Sequence, residues 1–119
     1  MNNIRFIYLY RDGANFQSWG NVIFSNPQND SQVHVQEQLE KYFLTDNLFI
    51  ASQVRIPEVF LFANEKITAQ DHCFHEFRSV EICAETVTDE FNRSITDFLR
   101  EVKNASIHGW KAFDILEHI

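Results

Sequence analysis

The chain has 119 residues, of which 45% are hydrophobic and 23% are charged, and its net charge is −7 at neutral pH. This length and composition predict one soluble globular domain over residues 1–119 and exclude disordered, collagen-like and membrane-spanning classes. The negative charge repels phosphate backbones and anionic lipid, so we expect neither nucleic acid nor a membrane as a partner. Three glycines are too few for a glycine-rich nucleotide loop, and no cofactor is expected.

The compartment can be predicted from the first apolar run and the cysteines. Residues 4–10 form a short run that contains Arg5 and lacks a following cleavage site, which argues against a signal peptide. Cys73 and Cys83 are ten residues apart, or roughly 33 Å along a straight strand, too far for a disulfide. Free thiols are typical of a reducing compartment, and we expect a cytoplasmic protein.

Two strands are predicted near the start of the chain. Residues 4–10 (IRFIYLY) are rich in β-branched and aromatic side chains and predict a central strand. Residues 21–25 (NVIFS) predict a second strand, which ends before Pro27 because proline cannot donate to a ladder. A tight Asp12-Gly13 turn would pair polar residues with the first strand, so we expect a longer loop over residues 11–20 and an antiparallel pair.

Two helices are predicted from apolar stripes at helical spacing. Asn29, Asp30 or Ser31 caps the first, which ends near residue 44 and carries the stripe Val35, Leu39, Tyr42 and Phe43. The second begins at residues 88–90, where Thr-Asp-Glu supplies a cap and first-turn acids. Its stripe consists of Phe91, Ile95, Phe98, Leu99 and Val102.

The middle of the chain is predicted to be mainly extended. Residues 48–56 fit either a short strand or an irregular segment, and residues 58–62 (EVFLF) predict a third firm strand. Residues 64–70 are a polar connection. Residues 71–84 form a long extended run in which the apolar phase changes, and a bulge near Arg78 would reconcile its two faces.

The order of elements favours an α+β fold, with a mixed or antiparallel sheet of four to five strands and two main helices packed on it. Residues 109–119 are too apolar to lie in solvent. We therefore expect this tail to pack on the domain or on a second copy of the chain, which leaves a homodimer open.

The densest chemistry lies in residues 71–76 (DHCFHE), which contain side chains that ligate metals or transfer protons. In a regular strand, His75 faces away from His72 and Glu76, and the helical zinc motif HExxH is absent. These residues fit either sheet positions satisfied by hydrogen bonds or a metal or catalytic site. We expect no bound metal.

A second candidate site is the loop that contains Arg11, Asp12, Phe16 and Trp19. Arginine and aromatic residues are enriched at interaction hot spots, and loops on a rigid sheet often bind ligands. Alternatively, the two aromatic side chains fold back onto the core and Arg11 forms a salt bridge with Asp12. No Lys or Arg occurs between Asp12 and Glu40, a bias that would suit a basic partner.

Three motifs resemble those of a family of small uncharacterised bacterial proteins. They are YRDGANFQSWGNVIFSNP at residues 10–27, IPE at residues 56–58 and DHCFHEF at residues 71–77. The resemblance implies that these segments belong together in one fold, and it implies no activity, cofactor or catalytic residue.

The leading functional prediction is a small cytoplasmic binding or protein-interaction domain without catalysis. It would bind an unknown protein or a small polar ligand through Arg11, Asp12, Phe16, Trp19, His72, His75 and Glu76. The first alternative is a metal-dependent or general acid/base enzyme centred on His72, His75 and Glu76, with Asp12 as a further group. The second alternative is an acidic, immunity-like partner of a basic toxin.

Overall fold

The computed structural model describes residues 2–61, 67–68 and 71–118. Over this part of the chain, four strands form an antiparallel sheet in the order β2-β1-β4-β3. The strands are β1 (Asn3–Arg11), β2 (Gln17–Ser25), β3 (Leu48–Phe49) and β4 (His75–Cys83). The helices are α1 (Gln32–Tyr42), α2 (Ile95–His108) and the short α3 (Ile115–His118). The predicted α+β class is confirmed, and the sheet is antiparallel rather than mixed.

One face of the sheet carries the core, and the two long helices pack against it. Phe6 of β1 lies at its centre, with its ring stacked 5.2 Å from Phe77 and edge-on to Phe98 at 5.0 Å. The helices contribute Val35, Leu39, Ile95, Phe98 and Val102. Burial of each large apolar side chain is worth roughly 1.5–3 kcal/mol, so this face holds the sheet and helices together.

The β1–β2 hairpin is tighter than the sequence predicts. Arg11 pairs with Gln17, so the connection is residues 12–16 and the loop expected over residues 11–20 is wrong. The carboxylate of Asp12 accepts the backbone N–H groups of Ala14 and Phe16, each at 2.9 Å, and these bonds fix the turn. The polar residues Gln17 and Ser18, which were not expected to pair with the first strand, form the start of the edge strand β2.

The bulge expected near Arg78 is confirmed. Ile7 lies opposite Ser79 whereas Tyr8 lies opposite Phe77, so Arg78 is the extra residue on β4. The extra residue changes the phase of the strand, which allows both Phe77 and Val80 to reach the same core.

The cap of α1 agrees with the sequence, since the Ser31 hydroxyl accepts the N–H of His34 at 3.1 Å. The start predicted for α2 at residues 88–90 is wrong. Ser94 caps α2 and forms a capping box with Asp97. Phe91 consequently lies outside the helix and is 49% exposed.

The reason for the late start of α2 is a local side-chain bond. The Asp89 carboxylate accepts the backbone N–H of Arg93 at 2.8 Å and two guanidinium N–H groups at 2.8 and 3.0 Å. Bonds of this kind from Asp to nearby backbone compete with helix formation. Arg93 is only 5% exposed, so this turn is part of the packed structure.

The strand expected at residues 58–62 is wrong for residues 58–60, which do not pair in the sheet, while residue 62 lies outside the described residues. Backbone groups here bond to side chains instead. The N–H of Val59 donates to His75 Nε2 at 3.0 Å, and the Tyr8 hydroxyl donates to the Pro57 carbonyl at 2.7 Å. The apolar side chains are still used, because Phe60 is buried.

Other parts of the middle segment also depart from the predicted pattern. Residues 48–56 form β3 and then a short 3₁₀ turn at Ala51–Val54. The extended run expected from residue 71 enters the sheet only at residue 75. Residues 64–66 and 69–70 of the polar connection lie outside the described residues.

The tail packs on the domain. Trp110 donates its Nε1–H to the Tyr42 carbonyl at 3.0 Å, and its ring lies 5.9 Å from that of Phe43. Ile115 of α3 packs with Tyr10 and other buried residues in a second apolar cluster. The tail therefore closes one side of the core.

Candidate functional site

Four of the predicted site residues meet in one surface pocket of about 290 Å³. The pocket lies where β1 ends and β4 begins, two strands that are neighbours in the sheet. Its lining consists of Arg11, Asp12, Asp46, Leu48, His72, Phe74 and Glu76. Two sequence segments that were singled out for separate reasons thus form one site.

Arg11 and Glu76 form an ion pair in the lining of this pocket. The guanidinium donates Nε–H to Oε1 and Nη2–H to Oε2, each at 3.3 Å. Glu76 lies opposite Leu9 on β1, and Arg11 follows two residues later on the same face of the sheet. The alternative with an Arg11–Asp12 salt bridge is wrong. Among the described residues, Arg11 forms its ion pair with Glu76.

Asp12 contributes a carboxylate that also shapes the turn. One oxygen, Oδ1, accepts the two backbone N–H groups described above. Asn15 closes the turn with a left-handed backbone (φ 69°), and its amide oxygen accepts a hydrogen bond from Arg11. These bonds hold the Asp12 carboxylate and the Arg11 guanidinium against the turn, beside the pocket that both residues line.

Two backbone contacts hold the His72 ring in place. Its Nδ1 accepts the N–H of Phe74 at 3.0 Å, so the proton is on Nε2, which donates to the Arg11 carbonyl at 2.7 Å. Both ring nitrogens are engaged. The imidazole therefore joins the segment before β4 to the end of β1, rather than presenting a free base.

Tyr10 fixes the same segment from inside the molecule. Its hydroxyl donates to Asp71 Oδ1 at 2.6 Å and accepts the N–H of His72 at 3.1 Å. Burial, followed by the bond to Asp71, raises the pKa of Tyr10 above its ordinary value. Sequence reasoning missed the hydrogen bonds of the Tyr10 hydroxyl, because Tyr10 lies in an apolar run that predicts only a buried strand.

His75 does not reach the pocket and is 1% exposed. Its ring lies among the rings of Phe60, Tyr10, Tyr8 and Phe49, at centroid distances of 4.6 to 6.2 Å. Burial, with a smaller effect from His72, lowers the pKa of His75 to about 3. The imidazole is therefore neutral, and it accepts the Val59 N–H at 3.0 Å.

The exposed aromatic residues lie outside the pocket lining. Phe16 is 68% exposed and Trp19 is 53% exposed, so the alternative in which they fold back onto the core is wrong. Trp19 lies opposite Leu9, whose other neighbour across the sheet is Glu76. Trp19 and the Arg11–Glu76 pair consequently occupy the same face of the sheet.

Three lining residues were not predicted from the sequence, namely Asp46, Leu48 and Phe74. Asp46 has a left-handed backbone (φ 63°) in the Thr45–Asn47 3₁₀ turn. An Asp-Asn pair at this point is a typical turn signal, but its closeness to residue 11 depends on the pairing of β3 with β4.

Within residues 2–61, 67–68 and 71–118, no group of three or more His, Cys, Asp or Glu side chains could hold a metal ion. Cys73 and Cys83 are free thiols, and Cys73 is buried. In the same described ranges, no helix is long and apolar enough to cross a membrane.

No family model, curated protein or solved structure matches this chain. The resemblance to small bacterial proteins therefore stays a prediction.

Proposed function

We propose that this protein is a non-catalytic protein-interaction domain whose pocket receives a basic side chain of a partner protein. The observation that carries the proposal is the composition of the pocket wall. Three carboxylates, from Asp12, Asp46 and Glu76, stand against one guanidinium, from Arg11. Because this leaves a negative surplus around a concave surface, a cation is the complementary ligand.

The apolar lining fits the same class of ligand. Leu48 and Phe74 are half-buried pocket residues, and they offer contact to the aliphatic stem of a lysine or arginine. The aromatic ring of Phe74 also attracts a cation that lies over its face.

The size of the pocket favours a single side chain over a larger molecule. Its volume of about 290 Å³ lies at the lower limit of small-molecule sites, which usually occupy roughly 300–1,000 Å³. A partner that inserts one basic residue and covers the surrounding face would use the site fully. The acidic, immunity-like partner of a basic toxin is a narrower form of this proposal.

The geometry gives less support to an acid/base enzyme. Both nitrogens of His72 are engaged by backbone groups, and His75 is buried among aromatic rings. A general base must reach the proton that it abstracts. Neither imidazole is placed to do so in this arrangement.

The test is a binding titration with short peptides that are blocked at both ends and contain one arginine. The comparison peptide carries glutamate in place of the arginine. We expect measurable binding of the arginine peptide only, with an affinity that falls as salt is added.

The matched variants are Asp46→Asn in the pocket and Glu40→Gln on α1, since both residues are exposed and both changes remove one negative charge. Loss of one exposed ion pair costs up to about 1 kcal/mol, so Asp46→Asn should weaken binding roughly two- to fivefold. Glu40→Gln should leave it nearly unchanged. Equal binding of the two peptides, or equal effects of the two variants, would refute the proposal.

A further inference from the structure

The outer edge of β2 has a free stretch at residues 17–21. The phase of its backbone is set at Ile23, whose N–H donates to Thr88 Oγ1 at 2.9 Å and whose carbonyl accepts the Thr88 N–H at 3.0 Å. The backbone groups of Ile23 therefore point away from β1. Because this direction repeats every second residue, the groups of Asn21, Trp19 and Gln17 point the same way.

On the N-terminal side of Ile23, the outward backbone groups of this edge lack a backbone partner within the described part of the chain. Among the residues that the structure describes, none makes a backbone hydrogen bond to the outward groups of Trp19 or Asn21. Edge strands are usually protected from pairing by charged side chains, proline or bulges. The edge sequence QSWGN has no charge and no proline, and it pairs with β1 in unbroken register.

We propose that a second copy of this chain pairs with this edge, antiparallel, about a two-fold axis that passes between the two Trp19 residues. A two-fold interface requires a surface that is complementary to itself. Placing Trp19 opposite Trp19 puts Gln17 opposite Asn21, so residues with outward backbone groups face each other. Such pairs exchange both of their hydrogen bonds.

Side chains and charge favour the same occupant. The two Trp19 rings lie on the same face of the joined sheet and meet across the axis, and each is 53% exposed in the single chain. The chain carries a net charge of −7, so most of its surfaces would repel a second copy. The side chains of residues 17–21 carry no charge, so the residue pairs across this edge bring no like charges together.

This pairing joins two four-stranded sheets into one. Glu76 of the acidic pocket lies on β4, and β1 separates that strand from the paired edge. The dimer and the pocket can therefore be tested separately. Failure of one does not imply failure of the other.

The experiment is sedimentation velocity on the full chain from micromolar to near-millimolar concentration. We expect a concentration-dependent shift from 14.1 kDa to twice that mass. Trp19→Lys places two like charges across the axis, and Asn21→Pro removes an outward N–H at an edge position where proline is tolerated. Each change should raise the protein concentration at which half of the chains are dimeric at least tenfold. The circular dichroism spectrum should stay unchanged, which shows that the fold is intact.

The control is Val33→Lys, because Val33 is 67% exposed on α1 and the charge change is the same. It should dimerise like the unchanged chain. A chain that keeps the monomer mass at every concentration would overturn the proposal. That result would hold even if the edge binds an extended peptide of another protein, because the proposed occupant is a second copy. Dimers that persist in both edge variants would place the interface elsewhere and also overturn it.

Discussion

The buried imidazole of His75 makes the stability of this protein depend on pH in a way that can be calculated. In the folded chain its pKa is lowered to about 3, chiefly by burial, whereas an unfolded histidine has a pKa of about 6.5. Between these values the unfolded chain binds a proton at His75 that the folded chain does not bind. The stability that depends on His75 is therefore fully present above pH 6.5, and it is lost progressively as the pH is lowered toward 3.

The size of this effect follows from the two pKa values. Linkage gives a loss of about 2 kcal/mol from His75 alone between pH 7.5 and pH 5. The matched perturbation is His75→Phe, which cannot titrate. This change leaves the Val59 N–H without its acceptor, a cost of roughly 1–3 kcal/mol that does not vary with pH.

The assay is urea unfolding of both proteins at pH 7.5 and pH 5. We expect the stability of the unchanged chain relative to His75→Phe to fall by about 2 kcal/mol between pH 7.5 and pH 5. His34→Gln, at an exposed position on α1, should keep the pH dependence of the unchanged chain. A stability difference that is the same at both pH values would refute the conclusion that His75 is buried and neutral.

Three further predictions concern the fold that holds the site. Phe98→Ala should lower the free energy of unfolding in urea by about 3–5 kcal/mol, because Phe98 is 0% exposed. Its control is Ile107→Ala, at a 67% exposed position on the same helix, which should change that free energy by no more than about 0.5 kcal/mol. Gly20→Ala should lower the melting temperature, since a Cβ there would lie 2.8 Å from the Tyr8 ring; an unchanged melting temperature would contradict this close approach. Ser94→Ala should cost about 1 kcal/mol in thermal unfolding through loss of the α2 capping box.

Much of the fold could be predicted from periodicity alone. The apolar run at residues 4–10 forms most of β1, and the stripe of α1 packs its Val35 and Leu39 into the core. The bulge at Arg78 was predictable because the apolar phase changes within β4. These signals are local, so they can be recognised without knowledge of the neighbouring elements.

The misplaced elements depend on contacts that are distant or specific. The start of β2 is polar because it lies at an exposed edge, where alternation of apolar residues is not needed. Val59 and Phe60 are apolar like residues of a strand, yet the Val59 N–H donates to the side chain of His75. The start of α2 depends on the bonds between Asp89 and Arg93.

In the candidate site, too, the residue types could be recognised from the sequence while their contacts could not. Arg11, Asp12, His72 and Glu76 could be singled out by residue type, but their convergence requires the antiparallel pairing of β1 with β4. His75 was singled out with them by sequence proximity. Alternation along β4 turns its side chain toward the core while that of Glu76 faces the pocket.

The claim that the acidic pocket receives a basic side chain is tested most directly by mapping amide chemical shifts during titration of the isotope-labelled protein. The probe is the blocked arginine peptide at low salt. We expect the largest shifts at the pocket amides of Asp12, Asp46, Leu48 and Phe74, and we expect added salt to reverse them. Shifts concentrated on α1, or equal shifts with the glutamate peptide, would contradict it.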